Sequence, residues 1–359
     1  MLVVALSAVA LMTAGVFLWP SPPSSDSPPL GPGATDGLSR YAQARSIGEY
    51  RLVLQTSTLP WAYCLAVADG GRVAVGGNGH IGVGTLAEWG NSLMLRRSEW
   101  VVPVQTLAVP ALFEERSSGG RVLSLAFDTD GTLFVGLSGG IVVQGEDVPW
   151  KVFFERSGSQ IVNIVVTDEM IFAADAASRV VLCLDRDGNL VREIDGRAGE
   201  DEADSAGFVL PSPHWGMAMG ADGLLRIANP GRRQVEAWTV DGHREFVWGR
   251  RGPGVGEFSG CCNPAALAVL DDGRIITAEK GELLTVTAYH PDGPQAGTMG
   301  QVARVVAGPD RFRMADGAVS LAVMPDGTVL VLQTPGGVLS VFEPPRDAGI
   351  LPASGEENR

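Results

Sequence analysis

The sequence predicts an all-β fold, a six-bladed β-propeller over roughly residues 45 to 345, and three observations predict it. An apolar strand, a tight polar turn and a second apolar strand recur six times. The copies are spaced by about the length of a four-stranded sheet. An orphan strand near Tyr50 matches the one strand that the last copy lacks.

The six copies are Leu65–Val75, Leu125–Val135, Ile164–Ala174, Met217–Ile227, Leu267–Thr277 and Leu321–Val331. Their starts are separated by 60, 39, 53, 50 and 54 residues. A third strand follows at Arg179–Leu184, Gln234–Thr239, Leu284–Tyr289 and Val338–Phe342. A fourth is readable at Leu190–Ile194, Glu245–Trp248 and Arg304–Ala307. Asp-Gly pairs such as Asp187-Gly188, Asp241-Gly242 and Asp292-Gly293 join strands three and four, because Gly, and to a degree Asp, tolerates the positive φ of tight hairpins. The last copy ends after three strands near Phe342, so Tyr50–Gln55 is expected to supply its outer strand and close the ring. Closure removes the open edges that invite aggregation. The first copy is the least regular, with an insertion expected within residues 87–115.

Outside this core the chain divides by composition. Leu2–Trp19 is an uncharged run that spans roughly 27 Å as a helix, close to a hydrocarbon core. It lacks a basic n-region, and its apolar stretch is long. Residues 1–19 therefore read as an uncleaved transmembrane anchor, with a cleaved signal segment as the alternative. Either places the remainder outside the cytoplasm, periplasmic or extracellular. Residues 20–44 are a Pro/Ser/Gly tether of extended character. Residues 346–359 form a polar tail. The net charge of −14 and the absence of a basic stripe argue against nucleic acid. The 47 glycines follow no G-X-Y period, which excludes collagen. The chain is expected to be monomeric, with the membrane reached through its N-terminal helix and a protein or small molecule as its partner.

From residue 160 the chain resembles the NHL-repeat family. The resemblance rests on Pro211-Ser-Pro-His-Trp-Gly-Met-Ala-Met, on Ile227-Ala-Asn-Pro-Gly-Arg-Arg-Gln-Val-Glu-Ala-Trp, and on the copy opening at Asn263-Pro264. Gly260-Cys261-Cys262-Asn263-Pro264 is similar to a motif of a bacterial subgroup, many of whose members carry another Cys where Ser259 stands. The resemblance implies a binding scaffold on a propeller. It also implies that the polar residues ending second strands (Asp175, Asn229, Glu279 and Gln333) hydrogen-bond the following loop. The recurrent histidines expected of an NHL-type lyase are missing.

Topology separates two faces. Turns between strands one and two, and between three and four, share one end and are uniform; the other connections share the opposite end and vary. Variable loops on a rigid scaffold are where binding usually sits. The candidate residues there are His214, Trp215, Asn229, Arg232, Arg233, Cys261, Cys262, Asn263, Glu279 and Lys280. His214 can serve as a ligand contact or general base, or simply pack within its loop. Arg232 and Arg233 suit an anion. Cys261-Cys262 admits three readings: a vicinal disulfide, two thiols, or a redox or soft-metal centre. Adjacent Cα atoms lie about 3.80 Å apart, below the usual disulfide range. No zinc-type spacing accompanies the pair, so no metal and no cofactor is predicted. Cys64 and Cys183 read as small buried hydrophobes. Asp128-Thr-Asp-Gly and Asp185-Arg-Asp-Gly mimic a calcium loop but lack its Glu, and read as turns. His243 and His290 are expected in solvated turns and His80 on the variable face. Two functions remain open: a binding scaffold, or a redox accessory or propeller enzyme centred on Cys261, Cys262 and His214.

Overall fold

A computed structural model describes residues 46–47, 51–56, 62–89, 105–108, 121–145, 149–198, 206–254, 256–280, 283–290, 300–309, 318–334 and 337–344. The expected anchor, tether and polar tail lie outside the described residues. Within them no helix is long and apolar enough to cross a membrane.

Strands β1 (Ser46–Ile47) and β2 (Arg51–Thr56) precede the first copy. A four-stranded sheet follows, made in order by β3 (Ala62–Val67), β4 (Arg72–Gly77), β5 (His80–Thr85) and β6 (Gln105–Ala108). β6 lies inside the expected insertion and supplies the outer strand, so part of that stretch is sheet.

Next come β7 (Ser124–Phe127), β8 (Leu133–Gln144), β9 (Lys151–Val166), β10 (Met170–Asp175), β11 (Val180–Asp185) and β12 (Leu190–Ile194), hydrogen-bonded as six strands. Its two long members each serve two partners. β8 pairs with β7 through Leu133–Gly136 and with β9 through Ser138–Val143. At the register shift after Ser138, Gly139 and Gly140 have φ of 95° and 153°, values that a side chain would resist. β9 pairs with β8 up to Gln160 and with β10 from Ile161 onward.

Two repeats of four consecutive strands follow. β13 (Met217–Met219), β14 (Leu225–Asn229), β15 (Gln234–Trp238) and β16 (Arg244–Trp248) form one. β17 (Ala266–Val269), β18 (Ile275–Glu279), β19 (Leu283–His290) and β20 (Gly300–Pro309) form the other, to whose edge β1 adds an unforeseen fifth strand. The last sheet joins β21 (Ala318–Val323), β22 (Val329–Thr334) and β23 (Val338–Glu343) to β2, whose Leu52 faces Phe342 and whose Thr56 faces Leu339. The segment after Tyr50 thus closes the last copy, as its sequence predicts.

Six innermost segments touch in a cycle: β3 with β7, β7 with β9, β9 with β13, β13 with β17, β17 with β21, and β21 with β3. The Leu-Ala-Val triplet explains the cycle. Side chains alternate along a strand, so the first and third residues of a triplet face one way and the second the other. Ala66 packs with Leu125 and Phe127, and Ala126 with Ile164 and Val166. Val165 meets Met217 and Met219, while Ala218 meets Leu267 and Val269. Ala268 meets Leu321 and Val323, and Ala322 returns to Leu65 and Val67. Aromatic side chains fill the same layers further along each sheet: Phe172 and Trp238 in one, Trp248 and Tyr289 in another, Phe134 against Phe153 in a third. Each fully buried Leu, Val or Phe contributes about 1.5–3 kcal/mol.

The innermost strands are also stitched by single polar bonds. Ser124 Oγ donates to Ile161 O at 2.8 Å, Asn163 Nδ2 to Trp215 O at 3.1 Å, and Leu65 N to Ser320 Oγ at 3.2 Å. Where β13 meets β17 the backbones approach closely. A Cβ on Gly216 would lie 2.7 Å from Leu267 N.

The mouth of the axial cavity as a candidate functional site

The innermost strands enclose a cavity of about 350 Å³, bordered by residues of β3, β7, β9, β13, β17 and β21 and by the entries to several of them. Ligand sites generally begin at about this size. Every copy repeats the same antiparallel order, so each innermost strand is entered from the variable-loop end. Tyr63, Asn163 and His214 border the cavity toward that end.

His214, half-buried, directly precedes β13. Burial holds its imidazole far below the ordinary value, at about 3, and the charges of Lys280 and Arg121 add to the shift. The ring is therefore neutral across the physiological range, an acceptor and donor rather than a cation. Arg121 stacks on the wall, its guanidinium carbon 4.5 Å from the Tyr63 ring centre and Nη2 3.4 Å from Tyr63 Oη. Lys280, only 3 % exposed, follows β18 directly. Two cationic side chains thus act on a neutral histidine that borders the cavity, one of them held against Tyr63 of the same border, in a chain of net charge −14.

The His214 shift has a consequence for stability. Its folded value lies below the unfolded one, so between about pH 6.5 and 3 the unfolded chain takes up a proton that the folded chain refuses. Stability should fall on acidification through that window, with a slope approaching ~1.4 kcal/mol per pH unit. The shallowest part, pH 6.5 to 5, precedes carboxylate titration. Denaturant melts of the native chain and of His214→Gln check this: the variant should lose the slope in that interval. Equal slopes would refute it.

The loop 249–264 carries the cysteines and is anchored at three places. Phe258 is fully buried against Trp248, ring centres 5.3 Å apart. Its N–H donates to Arg250 O at 2.8 Å. Glu257 bridges Arg250 Nε at 2.7 Å and Gly254 N at 2.9 Å, and these bonds pull its carboxyl below the usual range. Arg233 Nε donates to Gly260 O at 2.7 Å. Asn263 is the strongest tie. Its Nδ2 donates to Ser259 O and to Lys280 O, both at 2.7 Å, and its Oδ1 accepts from Lys280 N at 2.8 Å. Cys261 is exposed, Cys262 buried, and their Sγ atoms are 3.2 Å apart as free thiols. Burial and the neighbouring Cys261 raise the Cys262 thiol, against an opposing pull from Lys280.

The sequence candidates therefore divide. His214, Lys280, Asn263, Cys262 and Cys261 form one neighbourhood, with Arg233 bracing the loop behind it. Trp215 also borders the cavity, but its indole is buried, donates to Ala228 O at 2.7 Å and packs edge-on against Phe208. Asn229 is fully buried too. Its Oδ1 accepts from Val209 N at 3.0 Å and its Nδ2 donates to Glu236 at 2.7 Å, so it ties the loop before β13 rather than the one after β14. The Arg232 charge acts on the buried Glu236, whose carboxyl is raised by burial. Glu279 is buried where β18 ends. Asp175 does reach its following loop, accepting from Ala177 N at 3.1 Å, but also from Gln160 N at 2.9 Å.

Cys64 and Cys183 are buried in separate apolar layers, and burial pushes the Cys183 thiol up to about 12. Asp128 and Asp185 close hairpins, with Arg186 paired to the Asp128 carboxylate. His243 and His80 are exposed; the His290 side chain lies outside the described residues. Among the described residues no three His, Cys, Asp or Glu side chains gather as a metal site. Sequence reasoning missed Tyr63 and Arg121. Both enter innermost strands, as His214 does, and that shared position was the available signal.

No family model and no curated protein matches the sequence. Solved structures do match. A Xanthomonas campestris gluconolactonase aligns with TM-score 0.53 at 13% identity, over 85% of this chain and 93% of that one. A streptogramin B lyase aligns with TM-score 0.51 at 12% identity, over 82% and 98%. A catalytically inactive virginiamycin B lyase from Staphylococcus aureus, with quinupristin, aligns with TM-score 0.50 at 13% identity, over 82% and 99%. All are β-propeller proteins, and the all-β chain described here shares that fold.

Proposed function

We propose that the chain is a six-bladed propeller of NHL type, tethered outside the cytoplasm by its N-terminal helix, that binds a small anionic ligand at the mouth of its axial cavity. In this reading the six-strand sheet is two blades that share the bent β8 and β9. The single observation that carries the binding reading is neutral His214 on the border of a 350 Å³ cavity, near enough to Arg121 and Lys280 for both charges to act on its imidazole. Charged groups in a concave, partly desolvated site are worth more than on an open surface. The low identities of the structural neighbours carry no activity to this chain, and a scaffold or receptor is favoured over an enzyme.

The test uses a matched pair of probes, benzoate and benzylamine, with the full-length protein in detergent. Benzoate should raise the melting temperature in a dose-dependent way and benzylamine should not, since a ligand that binds the folded state stabilises it by mass action. An Arg121→Ala/Lys280→Met double variant should lose at least about tenfold in benzoate affinity, as expected for a lost charge-assisted contact. No shift with benzoate, or equal shifts in native and variant chains, overturns the reading.

A further inference from the structure

We infer that Cys261 and Cys262 form a redox-active dithiol, with Cys261 as the entering thiol and Cys262 as the resolving one, reacting with disulfide compounds by thiol–disulfide exchange. It goes beyond the anion-binding reading and does not depend on it.

Three observations support this. The two Sγ atoms already lie 3.2 Å apart, so closing the bond needs only a small side-chain movement. Their accessibilities differ in the way such a pair requires: Cys261 is exposed, whereas Cys262 is 9 % exposed and shielded from direct attack by a bulky oxidant. The backbone on both sides is held, by Arg233 at Gly260 and by Asn263 at Ser259 and Lys280, so the thiols cannot drift apart.

The chemistry balances without a metal. The Cys261 thiolate attacks one sulfur of a disulfide RSSR; the S–S bond breaks, a Cys261–S–S–R bond forms and RS⁻ leaves. Cys262 then gives its proton to solvent and attacks Cys261 Sγ. The mixed disulfide breaks, a Cys261–Cys262 bond forms and a second RS⁻ leaves. The dithiol loses two electrons and the disulfide gains them. Adjacent Cα atoms sit about 3.80 Å apart, under the roughly 4.4–6.8 Å usual for disulfides, so the closed form is strained and readily reduced again. That is the property of a reversible couple rather than of a structural staple.

The probe is glutathione disulfide, in large excess over glutathione, applied to the folded full-length protein in detergent and read by intact mass after alkylation with iodoacetamide. The chain has four cysteines, and burial should keep Cys64 and Cys183 silent under native labelling. Reduced protein should take two labels. Oxidised protein should take none and carry no glutathione, and reductant should restore both labels. Cys262→Ser should trap one glutathione on Cys261. Cys261→Ser should acquire an adduct at Cys262 at least about tenfold more slowly, as its burial requires. Retention of two labels after oxidation would overturn the dithiol. A glutathione adduct persisting in the native chain would overturn the resolving role of Cys262. Equal adduct rates in the two serine variants would overturn the assignment of the entering thiol.

Discussion

Proline at both Leu54 and Gln55 is expected to abolish cooperative folding or to lower the melting temperature by about 10 °C or more. These residues lie in β2, opposite Val341 and Ser340 of β23. Consecutive N–H groups of a strand point to opposite sides, so one of the two must face β23, and proline removes it while its ring disrupts the pairing. Val341 and Ser340 are fully buried, so a carbonyl left unpaired there costs about 1–3 kcal/mol by itself. The larger loss is the fourth strand of the closing sheet. With β2 detached, β23 becomes an open edge and the ring of innermost strands loses its clasp. A total of about 3 kcal/mol or more is a large share of a typical stability of 5–15 kcal/mol. Calorimetry and size-exclusion chromatography check this. A monomer melting within about 2 °C of the native chain would mean that β2 is not a closing element.

Asn263→Leu should be the most damaging single change at the mouth. Asn263 is 2 % exposed and makes three bonds of 2.7–2.8 Å to backbone groups of Ser259 and Lys280. Leucine has a similar volume but removes the partner of the Lys280 carbonyl and N–H in a buried place and of the Ser259 carbonyl at an exposed residue. At about 1–3 kcal/mol for each such group, a loss on the order of 3–5 kcal/mol is expected. The effect should also be local, because the clasp joins the 249–264 loop to the end of β18. Hydrogen exchange should rise at Lys280 N–H and across the loop while the β3–β4 hairpin keeps its protection. Uniform exchange across the chain, or a stability change under about 1 kcal/mol, would refute the clasp.

The repeat was legible because local chemistry and tertiary packing agree there. Leu-Ala-Val alternation selects a strand, Asp-Gly selects a hairpin, and both recur, so the starts of β3, β7, β13, β17 and β21 fall within three residues of the copies. β1 was invisible because a two-residue strand carries no period. The mouth was half legible. Cys261, Cys262 and Asn263 stand out chemically, and their place between β16 and β17 put them on the right end. Arg121 and Tyr63 did not stand out, because their role depends on blades far apart in sequence meeting at one axis. Trp215 and Asn229 show a second way in which tertiary packing is hidden from the sequence. A tryptophan or asparagine beside a proline in a loop looks available, but Ala228 and Glu236, supplied by the neighbouring strands, had already claimed their polar atoms.

The alanines at the centre of five of the triplets and the aromatic rings further out also set an angle. Layers thin at the axis and thick at the rim turn each sheet by a wedge relative to the last, and such wedges fill a circle. The taper of side-chain size, rather than any one bond, then meters how many units the circle takes. Enlarging Ala66, Ala126, Ala218, Ala268 and Ala322 together would flatten the wedge and press the circle toward a larger number of units than this chain can supply.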